Sequence, residues 1–427
     1  MKKLVIKNGR AIDPAQGLDS ICDVAVEDGT IREIGENIAS TGAEIFDASG
    51  LIVAPGFIDM HVHLREPGFE HAETIETGSR AAAAGGFTSI CCMPNTQPVN
   101  DSATVTSYIR QRARESAVVN VYPIGAITKN SAGEELAAIA SMKQAGAVAI
   151  SDDGQPVMNA RVVRRAMEYA RAFDLPLIEH CEDLHLSKGG DMHEGFASVR
   201  LGLRGIPRSS EDVMVARDLI LAELTGVRYH VAHISSRNAV GMVAFAKQRG
   251  LRVTAEATPH HFALSDADMP PYDGNYKMKP PLRELEDMEA VWDALAGGAV
   301  DAIATDHAPH PGDEKMQEFE RCPFGIIGLE TALGLALERL YHSGKASLER
   351  LIELFTGNPA RILSLDRGTL RIGAPADVTI FSLERGWTYD VKRSFSKSSN
   401  TPFHGRKFRG GPVATVVAGK VVWRADR

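Results

Sequence analysis

The sequence predicts an α/β protein: a (β/α)8 TIM barrel with a small β-sandwich domain formed by both chain termini. Eight short apolar segments alternate with helical segments over about 300 residues, and a barrel of this kind needs ~250. Short strands separated by turn residues occupy both ends of the chain. The 427 residues also exceed the ~250 to 300 at which a single core stops growing, so a second, smaller domain is expected.

The two ends of the chain have the texture of short strands. KLVIKNG and DVAVEDGTIREIG open the sequence, and the Asp28-Gly29 pair in the second suits a tight hairpin. ADVTIFSLE and ATVVAGKVVWRAD follow near the end, with Gly419 between the last two strands. Because such strands can pair with one another, we predict one small β domain from residues 1–54 and 366–427, flanking a barrel of residues 55–365.

The central region alternates between two patterns. The candidate strands are GFIDMHVH, TSICCMP, VVNVYPIGA, AVAISDDG, LPLIEHCE, RYHVAHIS, RVTAEATPHH and AIATDHAPH. The candidate helices between them include ETIETGSRAAAAG, DSATVTSYIRQRARESA, NARVVRRAMEYARAF, SSEDVMVARDLILAELTG and SRNAVGMVAFAKQRG. A doubly wound open sheet is the alternative, but no GxGxxG follows the first strand and the sequence has no P-loop.

Composition and charge exclude several classes of protein. Lys+Arg total 47 against 55 Asp+Glu, the net charge is -8, and no basic stripe carries interleaved aromatic residues, so a nucleic-acid partner is not expected. No stretch approaches the ~18 apolar residues of a membrane span, and MKKLVIKNGRAID lacks a signal peptide's apolar segment. We therefore expect a cytoplasmic protein with no membrane partner. The five cysteines are scattered without CxxC spacing, and Cys91 and Cys92 are expected to be small buried side chains.

Polar side chains fall at the carboxyl ends of five candidate strands, where barrel enzymes carry their chemistry. They are His61 and His63, Asp152 and Asp153, His180, His233, and Asp306 and His310. Residues i and i+2 of a strand share a face, so His61 and His63 can reach one centre, whereas the neighbours Asp152 and Asp153 cannot both do so. Other histidines are interpreted as surface or ordinary structural residues: His71, His185, His193, His230, His342 and His404.

These ligand types predict a metal centre. Imidazole and carboxylate without thiolate suit Zn²⁺, and also Mn²⁺, Co²⁺ or Fe²⁺. Six ligands are too many for one tetrahedral zinc, whereas two metals sharing a bridging carboxylate and a bridging hydroxide would use them all. Chance placement of such residues at equivalent positions of five strands is the weaker explanation.

With these residues in place, the sequence resembles the amidohydrolase superfamily and, within it, the bacterial type I dihydroorotases. The resemblance covers nearly the whole chain. It rests on APGFIDMHVHLREPG, CMPNTQPV, SDDG, EHCED, AHIS, KPPLR and TDHAPH, in that order. HxH alone would be weak evidence, but HxHxREPG together with MPNT and DHAPH is specific.

The resemblance implies two zinc ions and a hydrolytic role for one ligand. One zinc would be held by His61, His63 and Asp306, and the other by His180 and His233. Asp153 and a hydroxide would bridge the two ions, in place of the carboxylated lysine of many amidohydrolases. Asp306 would be the catalytic residue, carrying a proton between the water and the leaving ring nitrogen. The reaction would be the reversible cyclisation of N-carbamoyl-L-aspartate to (S)-dihydroorotate in pyrimidine biosynthesis.

The resemblance also implies a substrate site. Its residues would be His63, Arg65, Asn95, His310, Phe324 and Gly325. A guanidinium can grip the substrate's carboxylate through two parallel hydrogen bonds, which suits Arg65. The chain departs from its relatives at Lys279, where they commonly have asparagine before PPLR. The charged, aperiodic segment 310–325 is either a surface loop or a lid over the substrate.

Two alternatives remain open at this point. A hydantoinase or allantoinase would use the same metals on a different ring. A catalytically silent homologue would instead be a structural partner of aspartate carbamoyltransferase, and such a protein should have lost metal ligands. For the enzyme itself we expect a small-molecule substrate and a homo-oligomer, with aspartate carbamoyltransferase as a candidate partner.

Overall fold

The barrel has eight parallel strands in a computed structural model that describes residues 3–426. All eight predicted strands are confirmed, although each is shorter than its apolar segment. The barrel strands are β6 (Phe57–Val62), β7 (Phe87–Cys92), β8 (Asn120–Pro123), β9 (Ile150–Ser151), β10 (Leu177–Glu179), β13 (Tyr229–Val231), β14 (Val253–Ala257) and β15 (Ala302–Ile303). Parallel bridges from Gly125 to Ile150 and from Val62 to His307 join the two strand groups into a closed barrel.

Helices follow the strands and surround the barrel. They are α1 (Ile75–Ala84), α2 (Ala103–Ser116), α3 (Ile139–Ala145), α4 (Ala160–Ala172), α5 (Phe196–Leu201), α6 (Ser209–Thr225), α7 (Arg237–Gln248), α8 (Pro259–Ala263), α9 (Leu285–Gly297), α10 (Gly312–Lys315), α11 (Ala332–Ala336), α12 (Leu348–Phe355) and α13 (Gly357–Leu363). Caps fix several starts: Ser236 Oγ, for example, accepts from the backbone N–H of Asn238 and Ala239 before α7. Among the described residues, none of the helices combines the length and apolar character that a bilayer crossing needs.

Apolar side chains fill the inside of the barrel, which is a packed core rather than a pore. The strands and the residues next to their ends contribute one cluster of Met60, Cys91, Met93, Ile124, Ala149, Ile178, Ala232, Ala302 and Ala304. Cys91 is fully buried there, and this burial raises the pKa of its thiol well above the ordinary value. Cys92 is also buried, so the expectation for both cysteines is confirmed.

Strands from both chain ends form one eight-stranded sheet beside the barrel, as predicted. Its strands are β1 (Lys3–Asp13), β2 (Leu18–Glu27), β3 (Thr30–Gly35), β4 (Glu44–Asp47), β5 (Ile52–Pro55), β16 (Val378–Thr388), β17 (Lys407–Val417) and β18 (Lys420–Arg424). Their order is β18-β17-β16-β5-β1-β2-β3, with β4 also paired to β1. A separate pair of short strands, β11 (Met192–His193) and β12 (Gly205–Ile206), lies in the loop before α6.

Two details of the sheet follow from its turns and its core. Asp28 and Gly29 both have positive φ (49° and 80°), as a two-residue hairpin that matches the strand twist requires. Ala418 and Gly419 repeat the arrangement between β17 and β18. Side chains from both chain ends, including Ile6, share one apolar cluster, so neither end could bury its own strands alone.

Candidate metal and substrate site

Six polar side chains meet at the carboxyl end of the barrel. They are His61, His63, Asp153, His180, His233 and Asp306, each at or just beyond the end of its strand. All six are less than 10% exposed. His233 and Asp306 have positive φ (30° and 47°), a strained conformation for residues with a Cβ that aims these side chains inward.

Asp153 lies at the centre of the cluster. Its Oδ1 is 3.4 Å from His61 Nε2, 3.4 Å from His233 Nε2 and 3.6 Å from His180 Nδ1. Its Oδ2 is 3.4 Å from His63 Nε2. Burial raises the pKa of this carboxyl group, but the surrounding histidines outweigh that effect and hold the pKa well below its usual value. Asp153 is therefore an ionised carboxylate with imidazoles on both oxygens.

Its neighbour Asp152 points away from the cluster. The Asp152 carboxylate accepts hydrogen bonds from the backbone N–H of Ile127, at 2.8 Å, and from the backbone and hydroxyl of Thr128. Because side chains alternate along a strand, Asp152 holds the loop at Ile127 and Thr128, whereas Asp153 faces the centre of the cluster.

Asp306 lies close to His63 and His61. Its Oδ1 is 3.0 Å from His63 Nε2 and 3.6 Å from His61 Nε2. Burial raises the pKa of Asp306, but the hydrogen bond with His63 and the nearby imidazoles dominate and lower it. Ligand atoms of His61, His63 and Asp306 form one group within 4.8 Å, and those of His61, Asp153 and His233 form another.

The donor set fits a metal-binding site. His61 Nε2 and Asp153 Oδ1 are buried and have no hydrogen-bond partner, although burying such atoms unpaired is costly. His180 Nδ1 and His233 Nε2 lie only 2.8 Å apart, facing each other. Converging imidazole and carboxylate lone pairs of this kind are what Zn²⁺ and similar divalent cations bind.

A second layer of residues orients the histidines. His61 Nδ1 is 2.6 Å from Glu256 Oε1, and the other oxygen of Glu256 is 3.2 Å from His230 Nε2. His180 Nε2 is 3.0 Å from Glu182 Oε2. Partners on the outer ring nitrogen fix the tautomer that leaves the inner nitrogen free to bind a metal.

The residues expected at the substrate lie beside this cluster. Arg65 Nε donates to Pro309 O at 3.2 Å, and its Nη2 is 3.3 Å from His310 Nε2. His310 Nε2 also lies 2.9 Å from the carbonyl oxygen of Phe324. Burial and the Arg65 cation lower the pKa of His310 to about 3, so this ring is neutral near pH 7.

Asn95 and Gly325 border the same region. Asn95 Oδ1 is 2.9 Å from His63 Nδ1, which makes Asn95 an outer partner of a proposed ligand as well as a candidate substrate contact. Gly325 has φ 132°, and a Cβ there would lie 2.8 Å from Ala308 Cβ. Only glycine fits this close approach without strain.

The chain is similar to known proteins over nearly its whole length. The Dihydro-orotase-like family model matches residues 50–239, and the Amidohydrolase family model matches residues 247–423. The dihydroorotase of Solibacter usitatus is 70% identical over 420 residues, 98% of each chain. The chain belongs to the dihydroorotase family of amidohydrolases. A further family member, the dihydroorotase of Pelotomaculum thermopropionicum, is 53% identical over 98% of each chain.

Solved structures of amidohydrolases share the fold. The L-hydantoinase (dihydropyrimidinase) of Arthrobacter aurescens has a TM-score of 0.90 and 26% identity, over 100% of this chain and 97% of that chain. A D-hydantoinase (dihydropyrimidinase) from Thermus sp. has a TM-score of 0.83 and 26% identity, over 99% and 97% of the two chains.

Within this family fold, sequence reasoning missed three residues near the centre. Glu256 and Glu182 are the buried partners of His61 and His180, and His260 is a buried histidine whose Nε2 has no hydrogen-bond partner. Glu256 could have been found, because it is an acidic residue inside the otherwise apolar strand RVTAEA. Glu182 and His260 carry no comparable signal, since both lie among other polar residues.

Proposed function

We propose that this protein is a dihydroorotase, which interconverts N-carbamoyl-L-aspartate and (S)-dihydroorotate in pyrimidine biosynthesis. The observation that carries the proposal is the convergence of four histidines and two aspartates at the barrel's carboxyl end, directly beside Arg65. Family membership supports the same reaction, because relatives named dihydroorotase match over nearly the whole chain.

The proposed cofactor is a pair of zinc ions. His61, His63 and Asp306 would hold one ion and His180 and His233 the other, with Asp153 shared between them. When bound, such a pair lowers the pKa of water from 15.7 to roughly 7 and polarises the ring carbonyl. The unpartnered atoms of His61 and Asp153 support this assignment.

Asp306 is the proposed catalytic base and acid. In ring opening, its carboxylate takes a proton from the attacking water and returns it to the leaving ring nitrogen. In the biosynthetic direction the same steps reverse, and protonated Asp306 assists the loss of water. The position of Asp306 supports the role, because its Oδ1 lies 3.0 Å from His63 Nε2 and 3.6 Å from His61 Nε2, among the proposed ligands where the attacking water would be activated.

Arg65 is the proposed anchor for the substrate's carboxylate. Its guanidinium lies next to neutral His310, so one cation and one imidazole are available to the same anionic group. His63, Asn95 and the backbone at Phe324 and Gly325 complete the proposed substrate site. A bidentate guanidinium contact would also set the ring's orientation toward Asp306.

The deciding experiment is a turnover assay on three cyclic amides with metal content measured on the same sample. We expect about two zinc ions per chain and a clear preference for dihydroorotate over hydantoin and allantoin. A preference for hydantoin or allantoin would assign the alternative activity, for which the likeness to hydantoinase structures is the supporting observation.

The second alternative is a silent partner of aspartate carbamoyltransferase. All six proposed ligand positions are filled by His or Asp, which favours an active enzyme. Fewer than one zinc per chain, with no turnover after zinc is added, would favour the silent homologue. Aspartate carbamoyltransferase as a partner, a homo-oligomeric state, a cytoplasmic location and the domain bounds 1–54, 55–365 and 366–427 remain part of the proposal.

A further inference from the structure

Both histidines of the proposed first zinc site have a partner on the outer ring nitrogen. His61 Nδ1 is 2.6 Å from Glu256 Oε1, and His63 Nδ1 is 2.9 Å from Asn95 Oδ1. Outer partners of this kind fix the tautomer and the ring orientation of a metal ligand. The first site is therefore supported at each of its imidazoles.

The proposed second zinc site is supported at only one of its two imidazoles within the described residues 3–426. His233 Nδ1 is buried there and has no hydrogen-bond partner. His180 Nε2, by contrast, is 3.0 Å from Glu182 Oε2. The orientation of the second site therefore depends on Glu182 alone, whereas two partners share this task at the first site.

The two glutamates that support the histidines are held in different ways. Glu256 lies inside strand β14, and its second oxygen is 3.2 Å from His230 Nε2 on the neighbouring β13. Glu182 lies in the loop beyond β10. In the part of the chain that the structure describes, its carboxylate has two hydrogen-bonding partners, His180 and Lys279.

Lys279 provides the contact that fixes Glu182 from the side away from His180. Its Nζ donates to Glu182 Oε1 at 2.7 Å, so the lysine and the histidine each take one oxygen of the carboxylate. The side chain of Glu182 is 8% exposed and that of Lys279 is 27% exposed. A charge-assisted hydrogen bond shielded to this degree is stronger than an ion pair at the open surface.

Lys279 is itself held in place by its surroundings. Its Nζ lies 4.8 Å from the centroid of the Phe324 ring, and the face of an aromatic ring attracts a cation. The next residue along the chain, Pro280, accepts a hydrogen bond on its carbonyl oxygen from His261 Nε2 at 2.9 Å. The ammonium group is thus presented to Glu182 by a fixed segment.

No other cation beside Glu182 is available to replace Lys279 in the described part of the chain. Arg283 lines the same small cavity as Glu182 and Lys279. Its guanidinium is already engaged, because Nη2 donates to Glu211 Oε2 at 3.1 Å and Nε donates to Ser235 Oγ at 3.0 Å. The cavity also leaves room for the Glu182 carboxylate to turn when the lysine is removed.

We propose that Lys279 is a positioning residue for the second zinc ion, acting through Glu182. With Lys279 on one oxygen, the Glu182 carboxylate is held where its other oxygen accepts the Nε2–H of His180. That tautomer leaves the lone pair of His180 Nδ1 facing Asp153 Oδ1 at 3.6 Å and His233 Nε2 at 2.8 Å. Without the lysine, Glu182 is free to turn away and His180 loses its fixed tautomer and orientation.

The inference rests on the proposed zinc pair, and its test is zinc affinity in a chelator competition rather than turnover. Lys279→Met should weaken the second zinc by about 10- to 100-fold while the first is retained. Lys279→Arg keeps a cation for Glu182 and should restore most of the affinity. Circular dichroism should show the same fold in wild type and in both variants.

A double-mutant cycle tests whether the lysine acts through Glu182. Glu182→Gln should weaken the second zinc by a factor similar to that of Lys279→Met, and the double variant should lose little more than either single variant. Effects that pass through one shared contact are non-additive, whereas independent effects add. Additive losses would overturn the proposed route through Glu182.

Lys7→Met is the matched control. Lys7 pairs with Asp23 at 2.9 Å in the sheet, and their side chains are 20% and 5% exposed, close to the values for Lys279 and Glu182. Loss of this pair should leave both zinc affinities at the wild-type values. An equal weakening of the second zinc in Lys7→Met would show a general effect of losing a shielded ion pair and would overturn the proposal.

Failure of this inference is distinguishable from failure of the proposed function. A wild type that binds fewer than two zinc ions contradicts the zinc pair and the inference with it. A wild type that binds two, with a Lys279→Met variant whose second affinity stays within about twofold, contradicts only the role of Lys279. A raised KM for dihydroorotate in that variant would then assign Lys279 to the substrate instead. Loss of both ions in Lys279→Met, with Lys279→Arg equally defective, would indicate structural damage and overturn the inference too.

Discussion

At the scale of single residues, the site depends on which of two adjacent aspartates turns inward. Asp153 faces four imidazoles, whereas Asp152 holds the loop at Ile127 and Thr128. The pKa of Asp152 is raised to about 6 by burial, against the opposing effect of its hydrogen bonds. Two chemically identical neighbours thus acquire different roles from the side of the strand they occupy.

Replacing Asp306 should abolish turnover while the protein still folds. Asp306→Asn keeps the size of the side chain but removes its basicity, so turnover should fall by several orders of magnitude. The loss should exceed the 10²- to 10⁴-fold typical of acid–base groups, because the substitution also alters a proposed metal ligand. Steady-state kinetics with circular dichroism and metal analysis would measure this. Asp313→Asn, on the exposed part of the nearby loop, is the control; substantial activity in Asp306→Asn would rule out the proton role.

Replacing Arg65 should affect substrate binding while leaving the metals in place. Arg65→Met removes both donors of the proposed carboxylate contact, and a lost charge-assisted hydrogen bond of about 1.5 to 3 kcal/mol predicts a KM raised roughly 10- to 100-fold. Zinc content should stay at the wild-type value, because the Arg65 guanidinium contacts Pro309 and His310 rather than a proposed ligand. A normal KM would remove Arg65 from the carboxylate site.

At the scale of elements, segment 310–325 is held in place by buried cations. Lys315 is 7% exposed, and its Nζ donates to the carbonyl oxygens of Lys277, Pro323 and Gly325 at 3.2, 2.9 and 2.9 Å. Asn400, from the C-terminal part of the chain, donates to Gly325 O at 3.0 Å. The segment is therefore packed against the barrel rim, with a short helix inside it; the lid function remains a prediction.

The stability of this loop should depend on alkaline pH. Burial lowers the pKa of Lys315 to about 8, from 10.5 in the unfolded chain. Between pH 8 and 10.5, Lys315 is protonated in the unfolded chain and largely neutral in the folded protein. Its contribution therefore makes the free energy of unfolding rise with pH over this range. Below about pH 8 the lysine is charged in both states, and its burial lowers the free energy of unfolding by the full amount. Urea unfolding at several pH values should show that rise in wild type and its reduction in Lys315→Met.

Comparing wild type with Lys315→Met separates the contribution of Lys315 to the pH dependence of unfolding from that of other groups that titrate in the same range. Lys345→Met is a suitable control, because Lys345 is a more exposed lysine paired with Asp293. Equal pH dependence in wild type and Lys315→Met would contradict the prediction.

At the scale of the whole molecule, an aromatic cluster joins the sheet to the barrel. Phe57 and Phe355 stack with ring centroids 5.0 Å apart, and Phe87 and Phe381 lie 6.2 and 5.9 Å from Phe57. Phe381 belongs to the sheet, and the other three belong to the barrel. All four are fully buried, so the two parts share one continuous core.

Truncating this cluster should weaken both parts together. Phe355→Ala should lower the free energy of unfolding by about 3 to 5 kcal/mol, because it removes a buried ring and leaves a cavity. Urea unfolding followed by fluorescence and circular dichroism should give one transition, shifted to lower urea. Phe196→Ala, at a 79% exposed position, should change little. Two separate transitions in Phe355→Ala would show that the sheet and the barrel unfold independently.

Much of this architecture could be predicted from short segments of the sequence. The eight strands, the five helices named from the sequence and the Asp28-Gly29 hairpin depend on periodicity and turn chemistry within a few residues. The candidate ligands were identifiable for the same reason, because barrel strands end where their apolar runs end. The meeting of Glu256 with His61, 195 residues apart, depends instead on two strands being neighbours in space.

The sequence by itself determined the fold class, the participation of both chain ends in one sheet and the residues at the strand ends, since these follow from pattern and from motifs such as HxHxREPG. Strand alternation left open which aspartate faces the centre, and the choice of Asp153 came with the family resemblance. Only the tertiary structure decided which carboxylates support His61 and His180 and how Lys279 reaches Glu182. It also showed that the apolar residues of α6 divide between core and surface. Those facts depend on side-chain direction and on contacts between distant segments, which a linear pattern does not contain.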